Sequence, residues 1–433
     1  MSVRVTDAGG NHALAVVRSL GRRGIRVAAA DSAWCAKASF SRYCTTRAVY
    51  PSATRGIAGF LSGLLRLLER LKPALLFPMT ERTIMALLAG RAAVESRVTI
   101  APLPPDGALC VAFDKEETLR LAGSLGIAVP RTVSPRSLDD LAAVRDSITY
   151  PAVIKPRRSE FATLDDRIVP GGTAAYCFDP EELEARYLAV HRRAPLPLVQ
   201  EFIPGPGYGV SVLCVHGTIK ALFAHRRLRT IRPTGSGSSL RESVPPPPGM
   251  VEAARALLGT LRWHGVAMVE FKLDTRDGRP KLMEINGRFW NSLPLAVAAG
   301  VDFPFLLYRL ATEGEAPECF DYRPGVRCRW LVGDARHLAG VLRGRPAGWP
   351  DAFPSRGGTI TDFMKFFGRD LHYDDLWLSD PLPFVADVAD LALRQLPGQL
   401  LRRREPCVVD VADAPARGVM AGARPRAAGS MPS

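Results

Sequence analysis

The first 105 residues alternate short apolar runs with segments of helical spacing. Apolar runs typical of buried strands occur at Val3–Thr6, Ile25–Ala30 and Leu75–Pro78. Helical spacing of apolar residues occurs at Ala13–Leu20 and Phe60–Leu71. Because strands and helices follow one another in turn, this unit is predicted to be a parallel α/β sheet with helices on both faces.

A different pattern begins after the proline-rich loop at Pro102–Pro105. Residues 106–315 mix helices with paired strands, which predicts an α+β unit. One hairpin is predicted from Val210–Val215 and Ile219–His225, and a second from Val266–Leu273 and Lys281–Ile285. The turns at His216-Gly217 and Asp277-Gly278 favour both hairpins.

The last third of the chain is less regular. Residues 316–409 are rich in Pro, Gly and Arg and carry short helix signals, so they form an accessory region of unassigned role. From Asp410 the chain is mostly Ala, Arg, Pro and Gly, which predicts disorder for 410–433. The predicted organisation is therefore 1–105, 106–315, 316–409 and 410–433.

Composition narrows the function classes. The 433 residues are 47% hydrophobic and carry a formal net charge of +14. A basic balance can indicate nucleic acid, a membrane surface or a small anionic substrate. The arginine-rich segment 225–241 has no interleaved aromatic residue, so nucleic acid is not the expected partner. Much of the charge is equally consistent with a solvated arginine-rich surface.

The cysteine pattern and the apolar segments indicate the compartment. Eight cysteines occur singly, without a CxxC pair or a Cys/His cluster, so neither a zinc site nor a disulfide framework is expected. The pattern before the first strand is not that expected of a signal peptide, and no apolar stretch reaches the length of a membrane span. We therefore expect a cytoplasmic protein with reduced thiols.

Two acidic residues inside apolar strands are the strongest chemical signal. Glu270 lies within the first strand of the second hairpin, and Glu284 within the second strand, two residues before Asn286. Burying a carboxylate without a partner is costly, and oxygen donors on paired strands suit a divalent cation such as Mg²⁺. Arg288 continues the same face of the strand and suits a phosphate. The alternative is a strand whose polar residues face solvent.

A lysine and two glycines form a second signal. Lys155 closes the apolar strand Tyr150–Lys155, and Gly171 and Gly172 follow in a loop. A lysine charge and glycine amides suit nucleotide phosphates. The alternative is a strand-end lysine that extends to water.

Two further segments are weaker by themselves. The strand Leu198–Ile203 carries Gln200, Glu201, Phe202 and Ile203 and could offer backbone groups and a carboxylate to an adenine edge. Lys115 begins a helix that Asp114 can cap, and it could face phosphate. The alternative for the first segment is an ordinary strand followed by a turn. The alternative for Lys115 is an exposed lysine in the first turn of a helix.

The order of these residues resembles the ATP-grasp superfamily. Lys115, Lys155, Gln200-Glu201, Glu270 and the Glu284–Asn286 segment follow one another at that superfamily's approximate spacing. The segment from Glu284 to Pro304 is similar to the carboxylate–amine ligase branch, which has a carbamoyl-phosphate-synthetase-like ATP-binding domain. The resemblance implies a Rossmann-like pre-ATP-grasp sheet followed by a two-lobed ATP-grasp domain.

The resemblance also implies roles for these residues. Lys115 and Lys155, with the glycines, would contact ATP phosphates, and Arg288 and Lys155 would assist phosphoryl transfer. Gln200 and Glu201, with the backbone of Phe202 and Ile203, would hold adenine. Mg²⁺, or Mn²⁺ in its place, would be held by Glu270, Glu284 and Asn286. The region expected to hold ribose departs from the family pattern, because an acidic residue is replaced by Gly207, Tyr208, Gly209 and Ser211.

Substrate contacts are expected from other segments. The glycine- and serine-rich segment around Arg227 and Arg241 is predicted to be a mobile loop that takes an anionic substrate or closes over an acyl phosphate. The alternative is a solvated basic loop. Thr80 and Glu81, which follow the strand at Leu75, could line the substrate cleft.

The function implied is an ATP-dependent, ADP-forming ligase that joins a small carboxylate to an amine, with a homodimer compatible with this branch. Two alternatives remain open at this point. A carboxylase or carbamoyl-phosphate-type enzyme would use the same ATP site, and a non-catalytic ATP-binding scaffold would retain the fold alone. The sequence does not identify the carboxylate or the amine.

Overall fold

A computed structural model of the chain describes residues 2–395. The predicted disordered tail, 410–433, and residues 396–409 of the accessory region lie outside the described residues. The N-terminal unit is a five-stranded, fully parallel sheet in the order β3-β2-β1-β4-β5. Its strands are β1 (Ser2–Val5), β2 (Arg26–Asp31), β3 (Cys44–Val49), β4 (Leu75–Phe77) and β5 (Thr99–Ile100).

Four α-helices and one 3₁₀ helix connect these strands. They are α1 (Asn11–Gly21), the 3₁₀ helix Lys37–Phe40, α2 (Ile57–Leu71), α3 (Glu81–Ala89) and α4 (Arg91–Glu95). One apolar cluster packs α1 on one face of the sheet, and another packs α2 on the opposite face. The α/β prediction for this unit is confirmed.

A four-stranded antiparallel sheet follows, in the order β10-β7-β11-β6. The segment between Lys155 and the loop glycines Gly171 and Gly172 contains a separate hairpin, β8–β9. The elements of this part are α5 (Asp106–Phe113), α6 (Lys115–Ser124), β6 (Thr132–Val133), α7 (Leu141–Ser147), β7 (Ala152–Lys155), β8 (Glu160–Ala162), β9 (Ile168–Pro170), β10 (Ala175–Cys177), α8 (Leu183–His191) and β11 (Leu198–Glu201).

The largest sheet has seven strands in the order β16-β15-β12-β13-β14-β17-β18, and only β17 and β18 run parallel. Its last two strands come from the accessory region, which is therefore joined to the central sheet. The elements are β12 (Gly207–Val215), β13 (Thr218–Arg229), β14 (Leu240–Ser243), α9 (Pro248–Thr260), β15 (Gly265–Leu273), β16 (Pro280–Asn286), α10 (Leu293–Ala299), α11 (Phe303–Glu313), β17 (Arg327–Arg329), α12 (Leu331–Arg343), α13 (Arg356–Phe363), β18 (Leu371–Tyr373) and α14 (Leu382–Gln395).

Local signals fix the start of two helices near the site. The Asp114 side chain accepts hydrogen bonds from the backbone N–H groups of Glu116 and Glu117, which caps α6. The Thr80 side chain accepts from the N–H of Thr83 and caps α3. The predicted Asp114 cap is confirmed, and the two caps place Lys115 and Glu81 in the first turns of their helices.

One apolar core joins the N-terminal sheet to the seven-stranded sheet. This core, which also contains α1, includes Val3 and Val5 of β1, Phe223 of β13, Met268 of β15 and Phe289 after β16. Within residues 2–395, no single helix is long and apolar enough to cross a membrane. The helices α10 and α11, which meet at a bend of 89°, reach the length and apolar composition of a membrane span only when they are taken together.

Candidate active site

The β15–β16 hairpin brings the two predicted acidic residues together. Glu270 and Glu284 are cross-strand partners, and Asn286 pairs with Met268 further along the same ladder. The Asn286 Nδ2 donates a hydrogen bond to Glu270 Oε1 at 3.1 Å. Two carboxylates and one amide thus form a cluster of oxygen atoms that could ligate a cation. Their positions on paired strands are those that the sequence predicts.

Cationic side chains surround this pair. Arg227 of β13 donates a hydrogen bond to Glu270 Oε2, and Lys115 Nζ lies 3.4 Å from Glu284 Oε2. Gly207 of β12 makes room for Arg227, because a Cβ there would lie 3.1 Å from Arg227 Cδ. The structure therefore places Arg227 on the acidic pair itself.

The charge of Glu284 depends on these cations. Burial raises the pKa of the Glu284 carboxyl, but Lys115 and Lys155, followed by Arg227 and Arg288, outweigh burial and hold the pKa below its ordinary value. Glu284 is therefore ionised at neutral pH. A site with this excess of positive charge is complementary to a polyanion as well as to a cation held by the carboxylates.

Lys155 lies at the end of β7 and faces the same cleft. Its Nζ donates a hydrogen bond to Gln200 Oε1 at 2.6 Å, and Gln200 Nε2 donates to Thr132 Oγ1 at 2.9 Å. Burial lowers the pKa of the Lys155 ammonium to about 8, while Glu284 opposes this shift and Lys115 adds to it. Gln200 thus orients Lys155 toward the acidic pair.

Arg288 follows β16 and is half-buried. Its Nη1 donates to the Phe289 carbonyl oxygen at 2.9 Å, which fixes the side chain beside the strand end. Its charge acts on Glu284 and also on Glu81 in the first turn of α3. Arg288 therefore stands between the acidic pair and the N-terminal unit.

Glu81 is buried at this junction and is 9% exposed. Its Oε1 has no hydrogen-bond partner among the described residues. Burial raises the pKa of Glu81 to about 7, and Glu160 and Glu284 add to the shift that Arg288 and Lys115 oppose. This location agrees with the expectation that Glu81 lines a substrate cleft.

The segment predicted to hold adenine is already engaged in internal contacts. Glu201 Oε1 accepts from the Arg131 N–H at 2.8 Å, and Oε2 lies 3.1 Å from Arg276. The Phe202 N–H donates to the Pro151 carbonyl at 3.0 Å, and the Ile203 carbonyl accepts from Lys272 Nζ. Any nucleobase contact with the Phe202 N–H or the Ile203 carbonyl must share or replace these bonds.

An aromatic cluster lies beside that segment. Side chains alternate along β7, so Val153 shares the face of Lys155. Val153, Phe202 and Trp349 form one buried cluster. The Trp349 ring lies edge-on at 4.9 Å from Tyr176 and 5.6 Å from Phe202, between ring centroids. Trp349 comes from the loop between α12 and α13, so the accessory region covers this end of the cleft.

The predicted glycine pair lies beyond the β8–β9 hairpin. A Cβ on Gly171 would lie 2.7 Å from the Arg158 carbonyl oxygen, so only glycine fits there. Gly172 has a φ of +89°, which favours glycine. The hairpin is fixed to the N-terminal unit, where Ile168 N–H donates to Ala53 and Ile57 N–H donates to Asp166. A phosphate-contacting role for these glycines stays a prediction.

Arg241 lies apart from the acidic pair. It is 1% exposed, and its Nη2 donates to both Asp374 carboxylate oxygens, at 2.7 and 2.8 Å. The segment around it is also less loop-like than predicted, because β13 extends to Arg229 and β14 begins at Leu240. Residues 230–239 are therefore the connection between β13 and β14. Because Arg241 is buried and bonded to Asp374, it is a structural cation in this state.

Three site neighbours had no clear signal in the sequence. Lys272 is two residues after Glu270 and shares its strand face, so alternation could have indicated it. Arg276 and Trp349 lie in loops, and the sequence pattern does not indicate which surface they contact. Gly207 lies in the region expected to hold ribose, and the sequence pattern does not indicate its close approach to Arg227.

One family model matches part of the chain. Residues 193–333 match the family model described as "ATP-grasp in the biosynthetic pathway with Ter operon". No curated protein matches the chain significantly. The family match includes Gln200, Glu270, Glu284 and Arg288.

Solved structures share the fold. The biotin carboxylase domain dimer of Hydrogenobacter thermophilus 2-oxoglutarate carboxylase, solved with MgADP, ADP and bicarbonate, is 16% identical, with a TM-score of 0.58 over 75% of this chain and 73% of that one. L-amino acid ligase from Bacillus licheniformis is 17% identical, with a TM-score of 0.55 over 75% and 78%. N5-carboxyaminoimidazole synthetase from Staphylococcus aureus is 13% identical, with a TM-score of 0.55 over 75% and 80%.

Proposed function

We propose, on the premise that the chain has the ATP-grasp fold, that it is an ATP-dependent ligase joining a small carboxylate to an amine. The observation that carries the proposal is the pair of Glu270 and Glu284 on adjacent strands, faced by Lys115, Lys155 and Arg227. Such a cluster combines cation-binding oxygens with charges that suit phosphates. Forming an acyl phosphate from a carboxylate and ATP requires no protein nucleophile, only positioning and charge stabilisation.

The oxygen cluster fits Mg²⁺, or Mn²⁺ in its place. Within residues 2–395, no group of three or more His, Cys, Asp and Glu side chains is placed to hold a metal ion. The donors here are two carboxylates and the Asn286 amide oxygen, which hard cations accept, and phosphate oxygens of ATP would complete the shell. When bound, Mg²⁺ neutralises part of the charge on the transferred phosphoryl group.

The chain's own residues would position and stabilise the reacting groups. Lys155, oriented by Gln200, and Lys115 would hold phosphate oxygens of ATP. The substrate carboxylate attacks the γ-phosphorus, ADP leaves, and Arg288 would stabilise the acyl phosphate that results. The amine then attacks the carbonyl carbon, and phosphate leaves. The phosphate carries one oxygen of the former carboxylate, which by itself would be a poor leaving group.

The remaining parts of the proposal follow from the same cleft. Phe202 and Ile203 would lie beside the adenine, and Glu81 would face the acceptor side. A homodimer belongs to the proposal because the biotin carboxylase domain of similar fold is a dimer. The carboxylase alternative retains one specific support, since that same structure holds bicarbonate beside MgADP.

The first experiment is ADP release by the purified protein with Mg²⁺ over pooled amino acids and small carboxylates, with bicarbonate as a separate arm. ADP that forms only with particular carboxylate and amine pairs supports a ligase. ADP that requires bicarbonate supports the carboxylase alternative. Absence of turnover with MgATP binding retained in calorimetry favours the ATP-binding scaffold. Absence of both turnover and MgATP binding contradicts all three alternatives.

Nucleotide affinity is expected to depend on the charge of Lys155. Its pKa is depressed to about 8, so the ammonium loses its charge as the pH rises through that value. Affinity for MgADP should therefore fall by roughly tenfold between pH 7 and pH 9. Calorimetry at constant ionic strength measures the change.

Lys155→Arg provides the control for this pH dependence. Arginine stays charged throughout the window, so its affinity should not change with pH, whatever its absolute value. Other charged groups that face Lys155, namely Lys115, Lys272, Glu270 and Glu284, are retained in the variant. An equal decline in both proteins would show that Lys155 is not the titrating group.

Trp349 is expected to report nucleotide binding. Its ring is buried against Phe202 and Tyr176 at the base end of the cleft, so a bound nucleobase changes its surroundings. MgADP should change the tryptophan emission of the wild type, and Trp349→Phe should abolish that change. Trp34, which is 70% exposed, is the matched control, and Trp34→Phe should retain it.

A further inference from the structure

Arg4 occupies an unusual position in the centre of the N-terminal sheet. It is 0% exposed and lies on β1, in register with Ala28 and Leu76. Val3 and Val5 face the core that contains α1. Arg4 therefore points to the opposite face, where Leu76 packs against α2.

Within residues 2–395, no carboxylate forms an ion pair with the Arg4 guanidinium. All three of its side-chain nitrogens lack a hydrogen-bond partner within residues 2–395. Burial, and then the nearby charge of Arg70, lower the pKa of Arg4 to about 10, which still leaves the group charged at neutral pH. An unpaired buried charge is costly, so the arrangement favours an anion as partner.

Two arginines of α2 extend this positive region to the surface. Arg66 and Arg70 are one turn apart, and together with Val49, Pro51, Gly63 and Leu67 they line a cavity of about 330 Å³. We call this cavity the Arg66–Arg70 groove. Like charges at this spacing on a helix repel one another.

The groove also lacks a carboxylate to balance these charges. Arg70 has no ion pair or hydrogen bond with any described residue, and Arg66 bonds only the Ser62 hydroxyl, at 3.0 Å. Glu69, the single acid of α2, binds Arg97 at 2.9 Å instead. Three guanidinium groups thus share one region without a compensating acid.

We propose that the Arg66–Arg70 groove binds a small oxyanion, a phosphate that is either free or carried on a small ester, with Arg4 as the buried charge behind it. Guanidinium groups pair with phosphate through parallel hydrogen bonds, which Arg66 and Arg70 can donate from the lining of the groove. Arg4 does not line the groove and would contribute through its charge, which acts on the same region as Arg70. The groove shares no residue with the Glu270–Glu284 site. Its ligand is therefore separate from the nucleotide.

The test compares thermal unfolding in phosphate with unfolding in chloride at equal pH and ionic strength. A phosphate concentration about tenfold above the dissociation constant should raise the wild-type midpoint by about 2 °C. Arg4→Met and Arg70→Gln should lose this rise, and calorimetry should show phosphate binding weakened at least about tenfold in both. Arg26→Gln, an exposed arginine of the same sheet, should retain it.

Further arms locate and identify the ligand. Phosphate should still raise the unfolding midpoint of Lys155→Met. If phosphate no longer raised the midpoint of this variant, the phosphate would bind in the nucleotide cleft, and the proposal would be overturned. A larger rise with glycerol 3-phosphate than with inorganic phosphate supports an esterified ligand, and an equal or smaller rise supports the free anion. Should Arg4→Met not fold, Arg70→Gln decides alone. No phosphate effect in the wild type, or an equal effect in Arg4→Met, overturns the proposal.

Discussion

Glu284→Gln is expected to lower the rate of ADP formation by about 100- to 1,000-fold with the carboxylate and amine that the wild type uses. The carboxylate is the cross-strand partner of Glu270 and faces Lys115, Lys155, Arg227 and Arg288. Glutamine keeps the size of the side chain but removes the charge that holds the cation and balances these groups. The loss should therefore be in turnover rather than in folding.

Two measurements separate a loss of turnover from a loss of folding stability in Glu284→Gln. Glu252→Gln, an exposed glutamate of α9, makes the same chemical change outside the site and should turn over at the wild-type rate. The thermal midpoint of Glu284→Gln should stay close to that of the wild type, since the ion pair that is lost, with Lys115 at 3.4 Å, is partly exposed to solvent. Wild-type turnover by Glu284→Gln would remove the acidic pair from the mechanism.

Arg241→Met is expected to reduce the free energy of unfolding by about 3–5 kcal/mol. Arg241 and Asp374 are 1% and 0% exposed in their side chains and form a two-contact ion pair. Removing the cation leaves the Asp374 charge buried, with Asn11 and Cys328 as its remaining hydrogen-bond partners. Denaturant unfolding, with the midpoint and slope measured together, gives the value.

Arg226→Met is the matched control for this prediction. Arg226 belongs to the neighbouring strand and pairs with Glu242 at 2.9 Å, but its side chain is 41% exposed. An exposed pair contributes little, so we expect a change below about 1 kcal/mol. A similar small effect for Arg241→Met would show that the pair is not buried in solution, and would restore Arg241 as a candidate substrate contact.

The hairpin that carries the acidic pair was predictable from the sequence. Alternation places Glu284 and Asn286 on one face, and the Asp277-Gly278 turn fixes which residues face one another across the strands. The register set by the turn alone would place Glu270 opposite Met283. A β-bulge between Glu270 and Phe271 shifts the pairing by one residue and brings Glu270 opposite Glu284, which the sequence pattern does not indicate. The N-terminal sheet was predictable for the same reason, since periodicity is a local property.

The choice between Arg227 and Arg241 was not predictable. The two residues are direct partners across β13 and β14, yet one meets Glu270 and the other meets Asp374. Asp374 follows β18, far along the chain, in a region whose pattern gives no strand signal. Trp349 reaches the cleft in the same way, through a loop whose path depends on tertiary packing.

The measurement that tests the central claim most directly is oxygen transfer from the substrate carboxylate. The carboxylate that supports ADP release is supplied with ¹⁸O in both oxygens, and the released phosphate is analysed by mass spectrometry. An acyl-phosphate ligase should transfer one labelled oxygen to phosphate in each turnover. Phosphate without the label, formed at the rate of ADP, would contradict the account.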